Sequence, residues 1–371
     1  MIRSNYVIPA LACLWLPLYA VPPAAPLGVF EDNADVGTVL HAGSVEYDSA
    51  KRTYTVAGSG ENMWFAADAF QFVWKKVSGD VTLTADISFI GAGAEGHRKA
   101  VLMVRQSLDA DSTYADVARH GDGLTSLQAR DEKGVNTTEI QSATKAPARV
   151  RIARRGDYFY IWVAGAGEDL QFSGGSMRVP MHDPFYVGIG VCSHNKDIVE
   201  KAVFSNVDLT IGAPAATTPK LYSTLETVPL SGDRRVVYVT PGRLSSPMWT
   251  SDGAAIVFRT DGGGTKKIPA AGGIPEDDLN KFGMAPSGPL ATDKDLPSDG
   301  FRNYSPCLSP DGQQIAFLSS SGGKDVMLRV LSLTDNKVRV LAKLVGEKES
   351  LGLPWSPDSR RLTFVSYQWI Q

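Results

Sequence analysis

The chain has 371 residues, with 37 Lys and Arg against 40 Asp and Glu, a formal net charge of −3 and a pI near 6.0. No broad basic field exists to hold a nucleic-acid backbone or an anionic membrane surface, so neither is expected as a partner. Hydrophobic content of 43% is that of a globular protein, and the length exceeds what one core usually spans, which favours two domains plus a targeting segment.

Arg3, the apolar run from Tyr6 to Val21 and the small-residue stretch from Pro22 to Pro26 follow the order of a secretory signal peptide. Pro9 and Pro17 interrupt the run, whereas a spanning helix needs about 20 uninterrupted apolar residues. Residues 1–25 are therefore read as a signal peptide, with Ala20 and Ala24 as candidate cleavage positions and a periplasmic or secreted, soluble product. Cys13 follows Leu11 and Ala12, but the apolar run continues through Leu16, so lipidation is the lesser alternative. Past the signal only Cys192 and Cys307 remain, each expected as a small buried hydrophobe rather than half of a disulfide.

From 27 to 212 the dominant period is two. Val81, Leu83, Ala85, Ile87 and Phe89 alternate with Thr82, Thr84, Asp86 and Ser88, which predicts a half-buried strand. Phe70, Phe72 and Trp74 repeat the pattern before a Gly79-Asp80 turn. Arg149 and Arg151 alternate with Val150 and Ile152 ahead of a Gly156-Asp157 turn into Tyr158 to Val163. Strands follow at Phe185 to Val191 and Val207 to Ile211. Ten or so strands with no long helix predict an all-β, jelly-roll β-sandwich of the concanavalin-like kind. A linker is expected over 213–225, richest in Pro, Ala and Thr at Ala213 to Pro219.

Residues 226–371 carry a repeat. Ser246-Pro247-Met248-Trp249-Thr250-Ser251-Asp252-Gly253 recurs as Ser305-Pro306-Cys307-Leu308-Ser309-Pro310-Asp311-Gly312. A third copy, one residue shorter, is Leu353-Pro354-Trp355-Ser356-Pro357-Asp358-Ser359. Each Asp precedes a Phe by six residues, at Phe258, Phe317 and Phe364, expected to point into a core. Proline fixes φ in the turn, Asp accepts from the backbone beyond it and Gly takes the positive φ. Spacings of 59 and then 47 residues between the Asp positions suit four-stranded propeller blades, with an insertion between Phe282 and Asn303. With only three copies, the reading is an incomplete propeller. Its end blades would leave Phe, Ile, Leu and Trp in water, so the arc is expected to be completed either by further repeats beyond this sequence or by self-association with another chain through its open edges.

Ser309-Pro310-Asp311-Gly312 followed by Ile315-Ala316-Phe317 resembles the repeat of TolB-type β-propellers, and Ile268-Pro269-Ala270-Ala271-Gly272-Gly273 is similar to the tail of such blades. Lys266 stands where the family usually has an aromatic. A sandwich also replaces the α/β domain that precedes the propeller in true TolB. The Asp68-x-Phe70-x-Phe72-x-Trp74 run and Val104-Arg105-x-Ser107-Leu108-Asp109-Ala110-Asp111-Ser112 resemble a concanavalin-like domain family of unknown function.

Signatures of catalysis are missing: no Gly-x-Ser-x-Gly, His-Glu-x-x-His, Cys-x-x-Cys or Walker sequence occurs. The five histidines, His41, His97, His120, His182 and His194, sit at no ligand spacing on one element, so no metal or other cofactor is expected. Asp109 with Asp111 and Asp277 with Asp278 are read as solvated loop carboxylates. The basic cluster Arg149, Arg151, Arg154 and Arg155 is read as the charged outer side of a strand. Sugar recognition needs an aromatic face with charged or amide groups for the hydroxyls. Trp64, Asp68, Arg105, His120 and Arg130 could supply these if antiparallel pairing brings them to one concave face. The expected function is an exported, non-catalytic binding protein, its sandwich recognising glycan and its propeller a protein or polysaccharide. The alternatives are an accessory part of a glycan-acting hydrolase or a peptidase, or the envelope interaction role that the TolB resemblance implies.

Overall fold

A computed structural model describes residues 27–214, 217–278, 291–322, 326–345 and 353–371. The expected signal peptide and much of the expected insertion lie outside them. Apart from a single 3-10 turn at Asp293–Asp295, the regular structure of the described residues is strand.

Fourteen strands precede residue 213. They are β1 (Asp32–Val36), β2 (Ser44–Asp48), β3 (Thr53–Gly58), β4 (Phe70–Val77), β5 (Val81–Ile90), β6 (Lys99–Arg105) and β7 (Tyr114–His120), then β8 (Thr125–Arg130), β9 (Thr138–Gln141), β10 (Arg149–Arg155), β11 (Tyr158–Ala164), β12 (Gln171–Arg178), β13 (Phe185–Cys192) and β14 (Glu200–Ile211). A first sheet runs β1-β4-β13-β6-β7-β8-β9 and a second runs β12-β11-β10-β5-β14-β3-β2. Val81, Leu83, Ala85 and Ile87 of β5 meet Ala100, Leu102 and Val104 of β6 in the core between the sheets, as strand alternation requires. The chain is all-β and its N-terminal part is a β-sandwich. The strand count exceeds the sequence-based expectation because β1, β2 and β9 are too short and polar to show a period.

The first sheet is buried on both faces. Phe70, Phe72 and Trp74, expected in the sandwich core, point the opposite way from Val73. With Val101, Met103, Tyr114 and Cys192 they form a second cluster, to which Met63 of the 59–69 loop contributes. Gly60 lets that loop approach, since a Cβ there would stand 1.9 Å from the Ala69 carbonyl oxygen and its φ is +126°.

The C-terminal part contains β15 (Lys220–Pro229), β16 (Arg234–Pro241), β17 (Leu244–Trp249), β18 (Ala255–Thr260), β19 (Thr265–Pro269), β20 (Glu276–Asp277), β21 (Arg302–Leu308), β22 (Gln314–Ser320), β23 (Val326–Ser332), β24 (Val338–Leu344) and β25 (Arg361–Ile370). Two four-stranded meanders, β17-β18-β19-β20 and β21-β22-β23-β24, flank a third unit, β16-β15-β25. In that unit the last strand pairs along its length with the first, from Lys220 opposite Ile370 to Pro229 opposite Arg361. Leu225, Phe258, Leu318 and Phe364 belong to one core shared by all three. Two indole N–H groups tie the sheets further, Trp249 donating to the Pro354 carbonyl at 3.2 Å and Trp355 to the Cys307 carbonyl at 3.0 Å.

Three expectations change here. The linker is shorter than 213–225, because β15 begins at Lys220. The two cores are not separate: β16 pairs in parallel with β9, Arg234 and Arg235 opposite Ile140 and Gln141, so the first sheet continues into the C-terminal unit. Val236 then packs in the sandwich core and Val237 in the C-terminal core. Third, the outer meander faces are not apolar surface left in water. Phe317 points away from the shared core but is fully buried with Ile315 and Leu331 beneath Ala291 and Leu296. The corresponding face of β18 and β19 carries Arg259, Thr265 and Lys267 beside Val257.

The repeat encodes one turn three times. Thr250 and Ser309 donate their hydroxyls to Asp252 and Asp311 at 2.6 Å, and Ser356 does the same to Asp358. Each Asp accepts from a backbone N–H two residues on, at Ala254, Gln313 and Arg360. The left-handed position is filled by Gly253 (φ +68°), Gly312 (φ +71°) and Ser359 (φ +57°). The upstream Ser-Pro pairs serve differently: Ser246 and Ser305, at φ +52° and +55°, lie at register shifts in β17 and β21. Ser359 bears its strained conformation but its hydroxyl accepts from the Asp311 N–H at 3.1 Å. Gly312→Ala is expected to cost about 1 kcal/mol in urea unfolding. Ser359→Gly relieves backbone strain while losing that bond, so its midpoint should move less; a larger loss there would contradict this account.

Candidate functional site

Antiparallel pairing does bring Asp68, Arg105 and Arg130 together, over the outer face of the first sheet. It also buries them. Asp68 is 3% exposed and both arginines 0%. Arg130 grips Asp68 with both terminal nitrogens, Nη1 to Oδ2 at 2.9 Å and Nη2 to Oδ1 at 2.8 Å. It also donates to the carbonyls of Phe65, Ser112 and Val135. Arg105 lies 3.5 Å from Asp68 and donates to the carbonyls of Ser107 and Asp109 at 2.6 Å each. These donors tie down the loops at 59–69, 107–113 and 131–137. As a sugar-contacting set Asp68, Arg105 and Arg130 are corrected: their polar groups are spent on the fold, and bidentate guanidinium–carboxylate geometry is what makes burying them tolerable. Trp64 is half-buried and its carbonyl accepts from the Thr137 N–H at 2.9 Å.

Next to this clamp lies a row of polar side chains with a different character. Cross-strand pairing aligns Met103, Asp116, Gln128 and Glu139 across β6, β7, β8 and β9. The neighbouring row is small, Val101 opposite Ala118 opposite Ser126. Lys99 opposite His120 bounds it on the other side. Asp116 and Ser126 are 0% exposed and Gln128 1%. Both carboxyl oxygens of Asp116, Oε1 of Gln128 and Oγ of Ser126 have no hydrogen-bond partner among the described residues. Most buried polar atoms are paired, so four unpaired ones on adjacent strands mark a place built to meet something else.

The electrostatics suit neutral chemistry. Burial pushes the Asp116 carboxyl well above the usual carboxylate range, and Lys99 opposes this only in part. Burial likewise lowers Lys99, whose ammonium donates to Asn62 Oδ1 at 2.7 Å. His120 is depressed to about 3 by burial and then by Lys99. Its Nδ1 lies 3.1 Å from the Leu124 carbonyl, which only accepts, so Nδ1 carries the proton and Nε2 is an acceptor. His97 and His194 gather beside it, with ring centroids 5.6 Å between His97 and His120 and 5.5 Å between His97 and His194. Spacing along the chain hid this trio, since each ring comes from a different element. Among the described residues no group of three His, Cys, Asp or Glu side chains has the geometry to hold a metal.

Sequence reasoning reached His120 and missed Lys99, Asp116, Ser126, Gln128 and Glu139. The available signal was alternation, which puts Tyr114, Asp116, Ala118 and His120 on one face of β7.

No protein-family model and no curated protein matches the chain. Among solved structures, a functionally unknown protein from Saccharomyces cerevisiae aligns with 47% of this chain and 93% of its own, at 18% identity and a TM-score of 0.37. The alginate lyase AlgAT5 of polysaccharide lyase family 7 aligns over 45% of this chain and 81% of its own, at 11% identity and a TM-score of 0.29. A putative TolB from Agrobacterium tumefaciens covers 79% of this chain and 99% of its own, at 13% identity and a TM-score of 0.18. Likeness at these levels carries no argument about function.

Asp68→Asn should destabilise the fold by about 3–5 kcal/mol in chemical denaturation, because two buried guanidiniums lose their counter-charge. A loss under about 1 kcal/mol would show the clamp to be dispensable. His120 gives a pH signature. Its folded pKa is depressed, so its contribution is full above the unfolded value of 6.5 and is lost as pH falls towards about 3. Asp116 is raised and works in the opposite sense, its contribution lost as pH rises. The difference between wild type and His120→Gln isolates the histidine. Wild type should lose up to about 1.4 kcal/mol per pH unit relative to the variant over that window.

Proposed function

We propose that this is an exported, non-catalytic binding protein whose sandwich recognises carbohydrate at the polar row of β7, β8 and β9. We also propose that the three C-terminal sheets are an arc of a TolB-type β-propeller that offers its loops to a protein or polysaccharide. The observation that carries the first reading is the set of buried, unpartnered polar atoms on Asp116, Ser126 and Gln128. Leaving such an atom unpaired costs about 1–3 kcal/mol. A sugar hydroxyl both donates and accepts, so it can satisfy a protonated Asp116, the Gln128 oxygen opposite it and the neighbouring Ser126 hydroxyl. Half-buried Trp64 and Asn62 lie in the loop over this face, and an indole beside hydroxyl-binding groups is how an apolar sugar face is covered. The second reading rests on the three turn copies and on the pairing of β25 with β15.

Asp116→Leu is the informative variant. It removes an unpaired buried carboxyl, so stability should hold or rise, while affinity for the retained glycan should fall by about 1.5–3 kcal/mol, tenfold or more. A glycan array probed with the full chain, alongside a hydrolase screen on the retained sugars, makes the measurement. Retention of no glycan, equal binding by the variant, or turnover of a retained sugar would each remove this reading.

A further inference from the structure

The second sheet of the sandwich presents its outer face on the opposite side of the molecule from the polar row. Three files of side chains run along it. On β11 alternation directs Tyr158, Tyr160 and Trp162 outward, all half-exposed. On β10 the paired positions are Arg155, Ala153 and Arg151, and Arg149 follows. On β5 stand Thr82, Thr84 and Asp86, opposite Ala153, Arg151 and Arg149. The small, fully buried Ala153 lies between the two guanidiniums in this file, with Tyr160 opposite it.

The cations in this face are not equivalent. Arg149 is neutralised by Asp86 at 2.8 Å. Arg151 and Arg155 make no ion pair among the described residues. They are held by neutral groups instead: Arg151 Nε donates to Thr84 Oγ1 at 2.9 Å, and Arg155 donates to the Val81 carbonyl at 2.9 Å and to Thr82 Oγ1 at 2.8 Å. The Arg151 guanidinium also lies 6.0 Å from the Trp162 ring centroid. Both cations are thus pinned and half-exposed with no ion-pair contact, Asp208 and Asp80 acting on Arg151 and Arg155 only through space, an arrangement that lowers the entropy cost of meeting an anion. The aromatic file continues beyond β11: ring centroids are 5.9 Å apart for Trp162 and Phe172 and 5.5 Å for Phe172 and Tyr222, which carries the ladder onto β15.

We propose that this face binds an acidic polysaccharide, with Arg151 and Arg155 meeting its carboxylate or sulfate groups and Tyr158, Tyr160 and Trp162 covering its sugar rings. Aromatic rings beside arginines also suit single-stranded nucleic acid, but that ligand places a phosphate at every residue and is held by a continuous basic groove. Here two unpaired cations are followed by Asp86 and by exposed Asp208, opposite Thr84, which suits a chain whose charges are spaced by neutral, hydroxyl-rich stretches. The inference does not depend on the polar row of the first sheet.

Affinity electrophoresis of the full chain through gels containing polygalacturonate, dextran sulfate or neutral dextran tests it, with oligo(dT) as competitor. Retardation is expected in one or both acidic gels and not in neutral dextran, and the two acidic gels separate carboxylate from sulfate recognition. Arg151→Gln and Trp162→Leu should each weaken retardation about tenfold. Arg151→Gln removes a half-buried hydrogen bond to Thr84 and the contact with the Trp162 ring, so the melting temperature of each variant is measured beside the gels and the variant that stays folded decides the question. No retardation in either acidic gel, undiminished retardation of folded Arg151→Gln, or preference for oligo(dT) would overturn the proposal.

Discussion

A β-strand offers side chains to two sides, and the first sheet of this sandwich is covered on both. One face makes the core with the second sheet, and the other lies under the 59–69, 107–113 and 131–137 loops. From that constraint the rest follows. Every polar residue on the covered face must be neutralised within the protein or left for a ligand. Arg105 and Arg130 are neutralised by Asp68 and by loop carbonyls, and in being neutralised they hold the loops in place. Asp116, Ser126 and Gln128 are not.

The same sheet explains the join between the two halves. Its edge strand, β9, is only four residues long, and an open edge at that position would expose backbone donors and acceptors. β16 closes part of it. Because alternate residues of β16 face opposite ways, Val236 enters one core and Val237 the other. A Pro- and Ala-rich stretch such as 213–219 reads as a boundary, and in chain order it is one. Hydrogen bonding across the sheet ignores it.

How much was legible follows from which interactions are local. The alternation of Val81 to Phe89 and of Arg149 to Ile152 gave both strand and facing, because period two is written in neighbouring residues. The turns at Asp252, Asp311 and Asp358 were legible for the same reason. Facing failed at Phe70, Phe72 and Trp74, where an aromatic alternation was assigned to the sandwich core although Val73 holds that side. A sheet covered on both faces gives two apolar alternations and no rule for ordering them. Phe317 is buried as the repeat predicts, but only the arrangement of sheets decides that its neighbour is Leu296 rather than another meander. In the candidate site, Asp68, Arg105 and Arg130 were found as a group and given the wrong work, since sequence carries no burial. Asp116 was overlooked because nothing local distinguishes an unpaired carboxyl from a solvated one.

The double allegiance of β16 bears on how such a chain could have been assembled. A sandwich and a set of repeats joined by a flexible tether could be recombined freely, each half serving with other neighbours. Here cutting within 213–219 would leave β9 without its companion strand and a gap in the sandwich where Val236 sits. Either half, moved elsewhere, would need a substitute for that shared strand. Substitutions on either side of β16 are therefore constrained by packing on the other.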